Sequence, residues 1–329
     1  MKKYAVGIDL GGTNIRMGLV NKEFKVIDPI SFPSPRGDEK EEDVYENIYN
    51  HIIELLTRHN LSLKDIKGIG IGIANAIKRE RALDGTIKKY LSIVKSNIKV
   101  INGVNLLSYL QGKIDIPILL ENDVNVGAVG EYVTRINRVS NLVAVYMGTG
   151  IGGGVIIEGK LYFGAHGVAM EVGHIKVEYN GPPCVCGSKG CWEAIAGGVG
   201  IENRAKDAIK KGEKGLIYEM CQGKPEKITT KMVFDAKRKG DPLAENIIQR
   251  AVNASKMGIT NLVNLFDPDI IVLGGGLFLA QKDILFKPIV KYVRENALSA
   301  VRDVLIETST LDKWGGVLGA GSLLLLDEI

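Results

Sequence analysis

A chain of 329 residues with 45% apolar and 24% charged residues can build a large core, and suits two domains or one large α/β unit. Its formal net charge is only +4 and no stretch piles up Lys and Arg with interleaved aromatics, which excludes nucleic acid as an expected partner and leaves room for a mildly basic cleft that takes an anion. No apolar run reaches the roughly 18 residues of a membrane span, no cleavable leader is read in MKKYAVGIDLGG, and 4 cysteines fit a reducing cytoplasm.

Residues 4–8 (YAVGI) and 15–20 (IRMGLV) read as strands joined by DLGGTN, whose paired glycines permit the positive φ of a tight hairpin turn. Val44, Ile48, Ile52, Leu55 and Leu56 recur at helical spacing, and IKGIGIGIA then reads as a buried strand. A further strand, IPILLE, leads into ENDVNVGAVGEYV, a helix that Asn122 or Asp123 would cap. Residues 142–147 (LVAVYM) and 154–157 (GVII), joined by GTGIGG, repeat the opening hairpin. One constant offset lays Gly12 on Gly150, Lys22 on Lys160 and Phe24 on Tyr162, so the chain carries an internal repeat. A long helix is predicted from Leu243 to about Phe266, and DPDIIVLGGG follows as a buried strand running into three glycines. The stretches GDEKEED and GKPEKITT read as solvated surface without chemistry. Strands alternating with helices in both halves predict α/β lobes around a cleft.

Between Gly173 and Glu193 the chain places His174, Cys184, Cys186 and Cys191 in one short stretch. A single residue between Cys184 and Cys186 makes them a poor disulfide pair. Three thiols and an imidazole are what tetrahedral Zn²⁺ takes, and four protein ligands leave no open position, so the ion would be structural. Glycine-rich turns at residues 9–14, 148–154 and 274–276 each follow an apolar strand, and together they point to a nucleotide's phosphates. Gly148, Gly150 and Gly153 satisfy a dinucleotide fingerprint, but strand rather than helix follows them. The run from Gly154 to Lys160 nearly spells a phosphate-binding loop, yet Leu161 stands where Ser or Thr should hold Mg²⁺.

The hairpin DLGGTN, the run ENDVNVGAVGE, the turn GTGIGGG, the segment GVAMEVGH and the loop CVCGSKGCWE occur in the order found in the ROK family of sugar kinases, which this chain resembles over nearly its whole length. The resemblance implies a two-lobed actin-like ATPase fold, hexokinase-type and ribonuclease H-like, with an interlobe cleft. It implies a small lobe of residues 1–119, completed by the C-terminal helix 315–329, and a large lobe of residues 120–314. The implied activity is ATP-dependent phosphorylation of a hexose, most simply by a glucokinase, with an N-acetylhexosamine kinase or fructokinase as alternatives. Asp123 is implied as general base, a task that suits a carboxylate at a strand-to-helix turn, and helix capping is its competing role. Asp9 is implied near Mg²⁺, or else serves the turn. Gly11, Gly12, Thr13 and Asn14 would face the γ-phosphate, and Gly148, Thr149 and Gly150 the other phosphates. Gly274, Gly275 and Gly276 would meet the adenosine, or else pack a strand closely on a helix.

For the sugar, the resemblance implies Asn122, Asp123, Glu171, His174 and Glu193, with Asn97 a weaker contact; His174 would use one ring nitrogen for zinc and the other for substrate. The chain departs from the family where Ala74, Asn75 and Ala76 replace a Pro-Gly-Pro turn, so the Asn75 amide would enter the sugar pocket, and where Asn97 and Ile98 replace an Asn-Leu pair. His166, near the cleft segment, is either an ordinary loop histidine or a ligand contact. A sugar-sensing regulator of the same family would need a DNA-reading segment before the first strand, which already begins at Tyr4. An Hsp70-like ATPase would leave Glu171, His174 and Glu193 around the zinc loop unexplained. The expected partners are sugar and ATP, without nucleic acid or membrane, in a homodimer or homotetramer.

Overall fold

A strand with apolar residues on both faces must be covered on both sides, and the run from Gly68 to Ile73 is buried at every position. The computed structural model describes residues 2–35, 37, 39–74, 77–81, 87–92 and 101–326; Asn75 and Asn97 lie outside these described residues. In chain order the elements are β1 (Tyr4–Leu10), β2 (Asn14–Asn21), β3 (Val26–Pro33), α1 (Glu41–Arg58), β4 (Ile66–Ile73), β5 (Ile77–Arg81), β6 (Ile87–Ser92), α2 (Gly103–Gln111), β7 (Ile118–Asn122), α3 (Asp123–Val133), β8 (Leu142–Met147), β9 (Ile151–Ile157) and β10 (Lys160–Leu161). There follow α4 (Trp192–Ala196), α5 (Gly198–Lys210), α6 (Leu216–Met220), α7 (Thr230–Arg238), α8 (Pro242–Phe266), β11 (Ile270–Gly274), α9 (Gly276–Ala280), α10 (Lys282–Asn296), β12 (Leu305–Thr308) and α11 (Gly315–Ser322).

Two five-stranded sheets form, ordered β3-β2-β1-β4-β7 and β10-β9-β8-β11-β12. Counted within each sheet, both orders read third, second, first, fourth, fifth, so the repeat seen in the sequence is also a repeat of topology. In the first sheet β1 pairs antiparallel with β2 and parallel with β4, and β4 pairs parallel with β7. β9 begins at Ile151, three residues before the position expected, so the second glycine turn is confined to residues 148–150. β5 and β6 make a separate antiparallel ribbon.

By its internal contacts the chain separates into one unit of Met1–Leu142, Gly154–Met170 and Thr310–Ile329, and another of Val143–Gly153 and Glu171–Ser309. The first unit includes α3, which packs on α11. In this unit α1 buries the five apolar residues whose spacing announced it, together with Tyr45, and Glu41, Glu42 and Asp43 in its first turn complement the helix dipole. Just after α1, His59 Nε2 lies at hydrogen-bond distance, 3.1 Å, from Asp28 Oδ2.

The helix α11, sequence GGVLGAGS, presses its backbone directly on β1, β4 and α3. A methyl added at Gly70 would lie 1.8 Å from the carbonyl oxygen of Ala320, and one added at Gly7 2.0 Å from that of Val317. Glycine is required here because the atoms it meets are main chain and have no rotamer to escape into.

In the second unit α8 starts at Pro242 with the Asp241 side chain accepting from Ala244 N–H at 2.7 Å, and runs 25 residues. Gly258 on α8 leaves the space filled by the fully buried Trp192, whose ring lies 2.5 Å from where a Cβ would stand, and the Trp192 indole N–H donates to Ser255 Oγ at 3.2 Å. The segment GKPEKITT is not simply solvated: Ile228 is buried and Thr229 caps α7. Among the described residues no helix is long and apolar enough to cross a membrane.

Gly70→Ala is expected to destabilise the first unit by ~3 kcal/mol or more, at the severe end of overpacking. Gly12→Ala, where nothing lies within 4 Å of the added carbon, should stay within about 0.5 kcal/mol of wild type. Urea unfolding followed by circular dichroism checks both.

Candidate active site

In the first unit, β7 delivers Asn122 and Asp123 to the start of α3. The choice of cap falls on Asn122, whose Oδ1 accepts from Val124 N–H at 2.9 Å and Asn125 N–H at 3.3 Å. Asp123 thereby becomes the first helical residue, half-buried, with Oδ1 accepting from Val124 N–H at 2.9 Å. Behind this turn stands the buried Glu121. Its Oε1 accepts from Asn122 N–H at 2.8 Å and Asn125 Nδ2 at 2.9 Å, while its Oε2 pairs with the buried Arg79 of β5. The Arg79 guanidinium also lies 4.0 Å over the Phe163 ring, and Arg79 N–H donates to the His166 carbonyl at 2.8 Å. His166 thus contributes a backbone contact to this network. The sequence reading missed Arg79 and Glu121; a Glu directly before the Asn-Asp pair was the available signal for the second.

The opening hairpin turn closes through Gly11 N–H to the Asn14 carbonyl at 3.1 Å, and Gly12 and Thr13 are exposed at its tip. Ser34 braces it, its N–H donating to the Thr13 carbonyl at 3.0 Å and its hydroxyl to the Gly11 carbonyl at 2.5 Å. Asp9 does not serve this turn through a backbone N–H. It pairs with Arg16, its cross-strand neighbour on β2, at 3.2 Å. Burial raises the Asp9 pKa, and the Arg16 charge opposes that rise.

In the second unit, Gly148 N–H donates to the Gly150 carbonyl at 2.9 Å, and the carbonyls of Gly148 and Thr149 accept from Gly198 and Val199 N–H at the head of α5. A cavity of about 820 Å³ opens beside this turn, lined by Gly148, Thr149, Gly198, Val199, Glu202, Thr230, Lys231, Asp235, Arg238, Gly276, Leu277, Ala280 and Gln281. Of the three glycines 274–276, which begin with the last residue of β11, Gly276 lines it. Gly274 instead fits against the Tyr146 ring, and Gly275, at φ +89°, against the Met147 backbone. Glu202 Oε1 accepts from the Thr230 N–H at 2.8 Å and hydroxyl at 3.0 Å. Neither residue carried a sequence signal beyond an ordinary cap-like Thr-Thr pair.

The motif GVAMEVGH ends in a tight turn, Val172–His174, where His174 N–H donates to the Glu171 carbonyl at 3.0 Å. Gly173 is obligatory there, since an added Cβ would meet the Ile151 carbonyl oxygen at 2.2 Å. The ligand atoms of His174, Cys184, Cys186 and Cys191 all lie within 4.8 Å of one another. His174 Nδ1 stands 3.6 Å from Cys184 Sγ, and Cys186 Sγ 3.6 Å from Cys191 Sγ. Bonds of about 2.3 Å to sulfur and 2.0–2.1 Å to nitrogen put tetrahedral ligand atoms roughly 3.5–3.8 Å apart, so these donors fit a metal ion in spacing and in softness. Without an ion, burial pushes the Cys184 thiol up to about 11. Lys176 Nζ donates to Cys191 Sγ at 2.9 Å, and this contact raises the lysine pKa.

Cys191 leads into α4, which carries Glu193. One Glu193 oxygen, Oε2, accepts from Ile151 N–H at 2.8 Å, so this carboxylate ties the cysteine loop to the glycine turn. Glu171, His174 and Glu193 lie close enough for their charges to act on one another. Desolvation raises the Glu171 pKa, His174 opposes the rise and Glu193 adds to it.

The chain matches the ROK family description over residues 5–326. It is 34% identical over 321 residues to a glucokinase of Thermotoga maritima, covering 97% of this chain and 96% of that one. The ROK hexokinase of Thermus thermophilus superposes with a TM-score of 0.79 at 26% identity, over 97% of both chains. A ROK family glucokinase of Streptomyces griseus, solved in complex with glucose and AMPPNP, superposes with a TM-score of 0.68 at 27% identity, over 97% of this chain and 98% of that one. Two sheets of one repeated strand order, a soft-donor loop after GVAMEVGH, an Asn-Asp pair at the head of α3 and these similarities lead to one conclusion: the chain belongs to the ROK family and has its actin-like, hexokinase-type fold.

Proposed function

We infer that this protein is an ATP-dependent hexokinase of the glucokinase type, transferring the γ-phosphoryl group of ATP to a hexose hydroxyl to give hexose 6-phosphate and ADP. The observation that carries this reading is Asp123, a carboxylate at the first position of α3, oriented by a helix N–H and set beside the Asn122 cap. Phosphoryl transfer passes through a loose in-line transition state, so the protein has chiefly to position the acceptor and receive its proton. Asp123 takes that proton as the new O–P bond forms and the bond to ADP breaks.

Asn122, Glu171, His174 and Glu193 are assigned to the sugar. Glu193 has Oε1 to offer, since Oε2 holds the Ile151 N–H. His174 has Nε2 to offer, since Nδ1 faces the cysteine sulfurs. The four soft donors would hold Zn²⁺ as a structural ion that fixes the loop and the His174 tautomer. The turn Gly11–Asn14 is assigned to the γ-phosphate, the turn Gly148–Gly150 to the remaining phosphates, and the cavity bounded by Gly276 to the adenosine. Asp9 would hold Mg²⁺ through water, as Mg²⁺ keeps several of its waters. The family resemblance carries a homodimer or homotetramer as the assembly.

Asp123→Asn is expected to bind glucose with wild-type affinity by calorimetry, while turnover in a coupled ADP-release assay falls by at least ~10². Turnover near the wild-type rate removes the base assignment. For the metal, elemental analysis should find one zinc per chain. Cys186→Ser should weaken glucose binding by about tenfold while ATP binding changes little, because the ion orients His174; equal losses for both ligands would detach the loop from the sugar.

A further inference from the structure

Glu121, Asn122 and Asp123 stand in succession where β7 passes into α3; the first is buried and the next two are half-buried. Glu121 accepts on both sides. Its Oε1 takes Asn122 N–H at 2.8 Å and Asn125 Nδ2 at 2.9 Å, while its Oε2 takes Arg79 Nη2. Only a carboxylate can do this, because the amide of a glutamine would turn donors toward one of those two faces. The arrangement is kept at a cost. With Nδ2 pointed at Glu121, Asn125 leaves Oδ1 buried without a partner among the described residues, and Arg79 leaves Nε and Nη1 in the same condition. Arg79 is gripped in its turn. Its Nη2 also donates to the Leu120 carbonyl at 3.3 Å, and the Phe163 ring lies 4.0 Å from the guanidinium carbon. Gly167, at φ +80°, brings the loop after β10 so near that an added Cβ would stand 3.0 Å from Arg79 Cγ.

We propose that Glu121 and Arg79 are positioning residues for the reaction: the buried pair fixes the direction in which Asp123 presents its carboxylate to the acceptor hydroxyl. This rests on the kinase reading and on Asp123 as its base. Both residues act through Asp123, and neither meets the substrate. The bond to Asn122 N–H fixes the peptide plane at the end of β7, and the bond to Asn125 Nδ2 fixes the first turn of α3. Asp123 lies between the two gripped residues, so one carboxylate sets the backbone on either side of the base. Arg79 holds the opposite oxygen and keeps that carboxylate from rotating. Proton transfer needs donor and acceptor at hydrogen-bond distance in the bound complex, and a displacement of about 1 Å at the reacting groups is enough to lose most of the rate.

The test measures kcat and KM with ATP and glucose, and AMPPNP binding by calorimetry, for Glu121→Gln alone and combined with Arg79→Met. Each is made with Asp123 intact and with Asp123→Asn. Glu121→Gln should lose ~10–10² in kcat, the scale of a misplacement of about 1 Å, while AMPPNP affinity holds within about twofold. Adding Arg79→Met frees the glutamine carbonyl to turn back to Asn122 N–H, and should return kcat to within about fivefold of wild type. In the Asp123→Asn background Glu121→Gln should change the residual kcat by less than about twofold, because residues that act as a unit are not additive. Where Glu121→Gln does not fold by circular dichroism, Glu121→Asp carries the same comparison, since it keeps the charge and both acceptors but withdraws them by one carbon. Three results overturn the proposal: a kcat for the position-121 variant within about threefold of wild type, the full loss repeated in the Asp123→Asn background, or a double variant no faster than Glu121→Gln. A wild-type protein that releases no ADP with any hexose would overturn the kinase reading itself, an outcome distinct from an active wild type with an equally active Glu121→Gln.

Discussion

The close backbone packing of α11 is the constraint that organises the first unit. The helix carries four glycines, an alanine and a serine among eight residues, a composition poor for a solitary helix, and it is stable because its main chain lies against other main chain. From that position it touches β1, β4 and α3. Gly316 confines Asp9, Gly319 packs on the Val126 carbonyl of α3, and Val317 and Ala320 press on Gly7 and Gly70 of β1 and β4. Sequence segments three hundred residues apart thereby fix β1, β4 and the helix whose first residue is Asp123.

The second unit solves a similar problem with an aromatic anchor. Trp192 fills the notch left by Gly258 on α8, so the stretch from Cys191 to Glu193 is held from below by packing and from above by its own polar ties. Glu193 reaches the glycine turn through Ile151 N–H, and Cys191 meets the Lys176 ammonium. Three thiolates and a neutral imidazole around a divalent ion carry one net negative charge, and the Lys176 contact places a compensating positive charge at the sulfur. The loop that would orient a sugar thus shares one rigid support with the turn assigned to phosphates.

Local pattern revealed much of this architecture. The helix α1, the buried strands β4, β7 and β11, the long α8 and the repeated hairpins follow from apolar spacing, and the cysteine loop from ligand type and separation; the positive φ expected of the paired glycines is not used, since Gly11, Gly12, Gly148 and Gly150 all keep other conformations. What the sequence hid are partners chosen by tertiary proximity. Arg79 reaches Glu121 across some forty positions, and nothing near either residue announces the other. Thr230 and Glu202 meet at the cavity from separate helices, and the polarity of GKPEKITT hid a threonine aimed inward. The glycines at the end of β11 divided in two, because a glycine needed for close approach and one that borders a cavity are written with the same letter. Asn75 and Asn97, the departures that bear on the choice of sugar, fall outside the described residues.

The Arg79–Glu121 pair shows why such partners are kept. Burying two charges is costly, and their attraction seldom returns more than packed apolar side chains of equal volume would, so stability is a weak reason for it. Its geometry offers a better one. With Oε2 held by the guanidinium, Glu121 can turn Oε1 only toward Asn122 N–H and the Asn125 amide, and those two contacts set the angle at which β7 passes into α3. The Phe163 ring under the guanidinium and the backbone contact to His166 keep Arg79 from following Glu121 out of position. Under the proposed function, a base that must meet a hydroxyl at hydrogen-bond distance tolerates little rotation of the residue that bears it. The buried ion pair adds fixed side-chain bonds at the last two residues of β7, beside the backbone pairing that Glu121 and Asn122 keep with Gly72 and Ile73 of β4.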